Sequence, residues 1–144
     1  INLAGADLEL RKEWRSGTMF LASYGYLLAR YTDDTLSNTR APNAPTQYAS
    51  VRGVTPLVPN LLNGAVRITY EDRRRSSTSN DDESPAAVIA DVVLSGRIAR
   101  YRLKYAFGVY NLFNWQYALP ALPYAANLMP QNGRSFIFSL TATR

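Results

Sequence analysis

The chain has 144 residues, with no cysteine and no histidine among them. These absences exclude disulfides, thiolate metal sites, cysteine nucleophiles and the commonest general base, so we expect neither an enzyme nor a cofactor-binding protein. The net charge of +5 is compatible with a nucleic-acid binder and with a protein that lies near anionic lipid.

Seven segments alternate between apolar and polar residues, which is the pattern of β-strands whose two faces meet different surroundings. The segments are 5–15, 19–31, 46–57, 65–71, 87–96, 103–114 and the end of the chain from 133. No segment has the pattern of a helix, and no apolar run is long enough for a transmembrane helix. The sequence therefore predicts an all-β protein.

The predicted connections alternate in length along the chain. Those at 16–18, 58–64 and 97–102 are short, whereas those at 33–45, 72–86 and 115–132 are long. Outer-membrane barrels have short periplasmic turns and long extracellular loops. The order therefore predicts an antiparallel up-and-down meander of about seven strands that forms part of a transmembrane β-barrel. A soluble β-sandwich binding module remains an alternative, as does a small complete barrel acting as an adhesin or anchor.

Polar strand faces and aromatic strand ends follow from the same interpretation. In a barrel the polar face lines a wet lumen, where we expect a structural charge ladder rather than a substrate path. Its predicted members are Asp7, Glu9, Arg11, Glu13, Arg52 and Arg67. In a barrel, six aromatic residues would form girdles at the two membrane interfaces. In a sandwich, the same residues would lie in the core. They are Trp14, Tyr24, Tyr26, Tyr70, Tyr105 and Trp115.

Two long connections contain candidate binding residues. The last one offers aromatic and amide side chains that suit ligand capture on an extracellular loop, although the loop could equally fold over the barrel mouth. These residues are Trp115, Tyr117, Tyr124, Asn127 and Gln131. Arg73, Arg74 and Arg75 could contact phosphates of nucleic acid or lipopolysaccharide. We favour a solvated loop base for them, neutralised in part by nearby acids, and expect no nucleic-acid partner.

Two motifs near the end of the chain resemble a known family. Gly108-Val109-Tyr110 leads into Asn111-Leu112-Phe113-Asn114, with Tyr117 soon after, and Gly133-Arg134-Ser135-Phe136 opens the last strand. This pair resembles the C-terminal end of TonB-dependent outer-membrane receptors. Segments 5–10 and 22–26 are similar to earlier strands of that family. We expect Asn111 to be structural, satisfying hydrogen bonds at a strand end.

The resemblance implies a location and a function. The family barrel has 22 strands, so residues 1–144 would be the C-terminal part of one barrel domain. The earlier strands and the plug would come from another chain or from residues outside this sequence. The chain ends on Arg144, where family members usually end on phenylalanine.

By the same resemblance, the protein would lie in the bacterial outer membrane, in contact with lipid and lipopolysaccharide. It would bind a scarce ligand of siderophore, cobalamin or sugar type and admit it, driven by an energy-coupling TonB-type protein. The alternative within this class is a barrel scaffold in a larger outer-membrane assembly, without transport of its own.

Overall fold

The fold is a single antiparallel sheet of seven strands. The computed structural model describes residues 1–32, 39–77, 83–121 and 128–142. Numbered in chain order, the sheet strands are β1 (Asn2–Glu13), β2 (Met19–Arg30), β3 (Gln47–Val58), β4 (Leu62–Glu71), β7 (Ala87–Ile98), β8 (Leu103–Tyr110) and β11 (Ser135–Ala142). Two small hairpins complete the described strands: β5 (Arg74–Arg75) with β6 (Glu83–Ser84), and β9 (Ala118–Pro120) with β10 (Leu128–Pro130).

Each sheet strand pairs with the next sheet strand along the chain, which confirms the predicted meander. The first short connection is a tight turn in which the Trp14 N–H donates to the Thr18 carbonyl at 2.9 Å and Gly17 has φ of 84°. The third is a short 3-10 turn at Ala99–Tyr101. All short connections lie at one end of the strands and the described parts of the long ones lie at the opposite end; we call these two ends the short edge and the long edge. No helix among the described residues is long and apolar enough to cross a membrane.

The pairing register separates two chemically different faces. Leu8, Tyr24, Ala49 and Tyr70 are successive partners across four strands. The neighbouring row, one residue along, runs through Glu9, Ser23, Ser50 and Thr69. Because partners share a face and neighbours alternate, every predicted apolar set falls on one side. We call the first side the apolar face and the second the polar face.

Large apolar side chains are exposed, and buried ones are small or polar. Phe136, Phe138 and Leu140 on the apolar face are 64%, 67% and 60% exposed. The buried residues of the described chain are Ala29, Thr46, Ser50, Ser76, Ser84, Ala87, Ala90, Asp91, Gly108 and Asn111. A sandwich would have covered the aromatic side chains with a second sheet. The described strands form one layer, so the sandwich alternative is wrong for this chain.

Some element ends differ from the predicted ones. The strand predicted at 103–114 ends at Tyr110, because Asn111 and Asn114 both have φ of 52°. This left-handed conformation breaks the extended backbone, and asparagine is among the residues that tolerate it. Residue 111 instead begins a turn in which the Leu112 N–H donates to the Ala90 carbonyl at 2.7 Å. β4 begins at Leu62 rather than at 65, which shortens the preceding connection.

Aromatic residues predicted for girdles lie near both the short edge and the long edge. Trp14 directly follows β1 at the short edge, and Tyr105 lies near that edge in β8. Tyr24 and Tyr70 share one row of the apolar face. Tyr70 is the penultimate residue of β4, next to the long edge. Aliphatic residues fill the area between these positions, including Val66, Ile68, Val92 and Leu94.

Candidate functional site

Asn111 is the centre of a hydrogen-bonded turn at the long edge. Its side-chain Oδ1 accepts from the Trp115 N–H at 2.7 Å, and its Nδ2 donates to the Trp115 carbonyl at 2.9 Å. The same Nδ2 donates to the carbonyl of Asn132 at 3.3 Å. The Asn111 N–H donates in turn to Oδ1 of Asp91 at 2.9 Å. Buried Asn111 thus connects both ends of the last long connection with each other and with β7. This is the structural role that the sequence analysis expected for it.

The two sequence motifs touch each other in space. Oδ1 of Asn114 accepts from the Arg134 N–H at 2.9 Å. A Cβ on Gly133 would lie 2.6 Å from that same oxygen, so glycine permits the close approach. Phe113 is 70% exposed and Phe136 lies on the apolar face. The spacing of the motifs therefore reflects a contact between the turn after β8 and the start of β11.

The long connections pack together at the long edge and form what we call the loop platform (39–46, 72–77, 83–86 and 115–121 with 128–134). Arg74 binds Glu71 at 2.5 Å and donates to Oδ1 of Asn43 at 3.0 Å. The Asn43 N–H donates to the Arg75 carbonyl at 2.9 Å. The β9 strand lies beside both β5 and β6. The platform is therefore a folded unit with internal polar contacts.

Two of the three consecutive arginines are engaged inside this platform. The side chain of Arg74 is only 18% exposed in its ion pair with Glu71, and Nε of Arg75 donates to the Ser77 carbonyl at 2.9 Å. Arg73 is exposed. The expected solvated loop base therefore describes Arg73, whereas Arg74 and Arg75 hold the loop together. Glu71, which the sequence did not single out, is the acid that neutralises Arg74.

Three of the five predicted ligand-loop residues, Trp115, Tyr117 and Gln131, lie at the stem of the β9–β10 hairpin. Trp115 is 44% exposed, with its backbone N–H and carbonyl both held by Asn111. The Gln131 N–H donates to the Tyr117 carbonyl at 2.9 Å. The side chain of Gln131 donates to the carbonyl of Met129 at 3.1 Å. Tyr124 and Asn127 lie outside the described residues.

The predicted lumen-facing charges all lie on the polar face, but their pairing differs from the expected ladder. β1 pairs only with β2 among the described strands, so Asp7, Glu9, Arg11 and Glu13 face uncharged β2 partners. Arg11 binds Glu13 on its own strand. Arg52 and Arg67 are direct partners of one another. Charges on β1 therefore do not pair across strands with these two arginines.

The residue that the sequence analysis missed is Asp91. It is 4% exposed, and its Oδ2 accepts from Nε of Arg67 at 2.8 Å and also from Nη2 of that arginine. The sequence did offer one signal for this residue, because Asp91 is the single acid in the largely apolar segment 87–98. Its importance depends on the register, which places it opposite Arg67. No group of three or more acidic side chains in the described ranges could hold a metal ion.

Solved structures of bacterial receptors share this fold. BauA, the ferric preacinetobactin receptor from Acinetobacter baumannii, matches 96% of this chain with a TM-score of 0.81 and 18% sequence identity. PiuA, a siderophore receptor from the same organism, matches 96% with a TM-score of 0.78 and 20% identity. No protein-family model and no curated protein matches the sequence. This chain spans 21% of the length of each receptor, and it has the fold of a segment of their β-barrel.

Proposed function

We propose that residues 1–144 are the C-terminal part of the barrel domain of a TonB-dependent outer-membrane receptor. The fold shared with two siderophore receptors supports this assignment, as does the contact between the two motifs at the end of the chain. The plug and the remaining strands would complete the barrel beyond this segment.

The observation that carries the proposal is the exposed apolar face. In a protein surrounded by water, large aliphatic and aromatic side chains pack inward and polar ones lie outside. Here the exposed side chains include Leu8, Ile68, Phe107 and Phe138, while the buried ones include Asp91 and Asn111. A single sheet with one apolar and one polar face matches a barrel wall between lipid and a wet lumen.

The proposed activity is uptake of a scarce ligand through the barrel, without covalent chemistry. The loop platform at the long edge would face the cell exterior, among lipopolysaccharide molecules, and contact the ligand through Trp115, Tyr117 and Gln131. A TonB-type protein would supply energy from the short-edge side. Because one neighbour is named a ferric preacinetobactin receptor and the other a siderophore receptor, we propose a ferric siderophore as the ligand class.

Membrane fractionation and a heat-modifiability gel on the full protein test the barrel. We expect the protein in the outer membrane, with an unheated sample migrating faster than a boiled one because the barrel resists detergent. A protein that fractionates with soluble material and migrates identically in both lanes would contradict the proposal.

Uptake needs a separate test in a strain that lacks the gene. Iron-limited growth on a panel of siderophores should fail for one siderophore in the deletion strain and recover when the wild-type gene is restored. Loss of the TonB-type protein should produce the same defect. Unchanged growth on every siderophore, with the barrel present, would contradict the siderophore assignment and leave a ligand of another class or the scaffold alternative.

A further inference from the structure

Two arginines are held side by side on the polar face. Arg52 of β3 and Arg67 of β4 are direct partners in the register. Side chains at such positions leave the same face with Cβ atoms about 4.5–5.5 Å apart, and like charges there are destabilising. The sheet therefore concentrates positive charge at one place, and an anion close to both guanidinium groups would offset the repulsion.

The one acid in this row is already fully engaged. Both oxygens of Asp91 accept hydrogen bonds, Oδ2 from Arg67 and Oδ1 from the Asn111 N–H. The carboxylate is also buried. Arg52 is exposed and makes no ion pair with any residue in the described part of the chain. Asp91 thus fixes the orientation of Arg67 and leaves Arg52 without a counter-charge.

None of the other acids described on the polar face makes an ion pair with Arg52, and Glu71 of β4 is engaged by Arg74. Asp7, Glu9 and Glu13 are on β1, and β2 lies between β1 and β3. Two strand spacings amount to about 9–10 Å. Glu13 is moreover engaged by Arg11. The charge at Arg52 is therefore uncompensated by the described residues of the sheet.

A cavity of about 290 Å³ opens between the two arginines. Its lining includes Val54, Ala65 and Tyr110, along with both arginines and Asp91. A pocket of this size has room for a small group such as a carboxylate. Arginine matches planar oxyanions because its N–H donors form a rigid fork, and Arg67 keeps donors that Asp91 does not use.

We propose that Arg52 and Arg67 bind a carboxylate group between them, with Asp91 as the residue that positions Arg67. The carboxylate could belong to an acidic side chain of a polypeptide segment inside the barrel or to a solute in the lumen. The inference rests on the proposed function in one respect, because it requires the polar face to line the interior of a barrel.

The test uses the full protein, folded in detergent and checked for heat-modifiable migration. Arg52→Gln removes the charge, and Arg52→Lys keeps the charge but loses the fork. Arg11→Gln is the matched control, because Arg11 lies on the same face and its exposed ion pair is worth little. The midpoint temperature of unfolding is measured for each variant in acetate, citrate and chloride at equal ionic strength.

A solute carboxylate predicts that citrate or acetate raises the midpoint of the wild type above its value in chloride. Arg52→Gln should then need at least about tenfold more of the anion for the same rise, a factor that corresponds to about 1.4 kcal/mol. A polypeptide carboxylate predicts no response to the anions. In that case Arg52→Gln should unfold several degrees below the wild type, Arg52→Lys should lie between them, and Arg11→Gln should match the wild type.

The inference is overturned if Arg52→Gln unfolds at or above the wild-type midpoint and no anion stabilises the wild type. Relief of the repulsion between the two arginines would produce that result if nothing binds there. If Arg52→Gln does not fold, wild type and Arg52→Lys provide the same comparison. A wild type without heat-modifiable migration would instead count against the barrel, so the two failures are distinguishable.

Discussion

At the scale of single residues, the turn at Asn111 is held by one side chain with several partners. The amide of Asn111 makes hydrogen bonds to both backbone groups of Trp115 and to the carbonyl of Asn132. The residue also has φ of 52°. Asparagine fits because it tolerates this backbone conformation better than most residues and because its amide both donates and accepts.

We expect Asn111→Ala to lower the free energy of unfolding by about 4–5 kcal/mol, because three side-chain hydrogen bonds are lost and the backbone is left-handed. Each lost hydrogen bond contributes about 1 kcal/mol, and the left-handed backbone adds about 1–2 kcal/mol for a residue with an ordinary Cβ. Urea unfolding of the folded barrel measures the loss, and limited proteolysis should show earlier cleavage in the last long connection.

Asn60→Ala is the control for the backbone component. Asn60 also has a left-handed backbone, with φ of 61°, and it is exposed. Its replacement should cost only the conformational part, about 1–2 kcal/mol. Equal losses in the two variants would show that the side-chain hydrogen bonds of Asn111 contribute nothing measurable.

Among the elements, β4, β7 and β8 approach closely at the short edge. Oη of Tyr105 donates to the Leu61 carbonyl at 2.9 Å, and the ring lies over Gly96. A Cβ at Gly96 would lie 1.9 Å from the Leu61 carbonyl oxygen and 2.5 Å from Oη of Tyr105. The absence of a side chain at Gly96 thus lets an aromatic ring cover the strand and reach the neighbouring turn.

Gly96→Ala should therefore destabilise the barrel by about 1–3 kcal/mol, the usual cost of overpacking. Gly53→Ala is the matched control, because a Cβ at Gly53 meets no atom within 4 Å. The control should be neutral or stabilising by up to about 1 kcal/mol, since alanine restricts the unfolded chain. Comparison of the urea midpoints tests this, and similar losses in both variants would contradict the role given to Tyr105.

The two faces of β11 give a second test at this scale. Phe138 lies on the apolar face as the partner of Phe107, while Ser139 lies on the polar face as the partner of Ala106. Phe138→Arg should cost about 2–4 kcal/mol if the residue is near the bilayer midplane. Ser139→Arg should be tolerated in a wet lumen. Folding yield and urea stability in lipid vesicles measure both variants, and equal damage would refute the facing.

For the molecule as a whole, the two outermost strands of the sheet each have one unpaired side. β1 and β11 each pair on one side only within the described chain. In hydrocarbon, each unsatisfied backbone group costs several kcal/mol. The unpaired sides of β1 and β11 must therefore pair with other strands before the segment can lie in a membrane.

We expect the isolated 1–144 segment to aggregate in buffer and to give no heat-modifiable band in detergent. The full protein should give that band under the same refolding conditions. Circular dichroism distinguishes folded monomer from aggregate when it is combined with sedimentation. A stable, monomeric and folded segment would show that the sheet closes without further strands, as the small-barrel alternative requires.

The faces of the strands were predictable from the sequence, because side-chain alternation is a local property. On this basis Phe138 was correctly predicted to lie on the apolar face and Ser139 on the polar face. The charge pairing was not predictable, since it depends on which residues meet across strands. Arg67 and Asp91 are far apart in the sequence, and only the register places them opposite each other. The turn at Asn111 was likewise assigned to a strand, because its alternation continued past the true strand end.

The order of the strands affects how fast this seven-stranded wall can fold. Every strand of the sheet pairs with its nearest sheet neighbour in sequence, so no contact within it must wait for a distant part of the chain. The entropy cost of closing a loop grows only with the logarithm of its length. Even the long connections therefore delay pairing little, and local contacts favour rapid formation. The wall can grow hairpin by hairpin, and in the proposed barrel we expect the slow step to be the joining of its two outermost strands with the remaining strands.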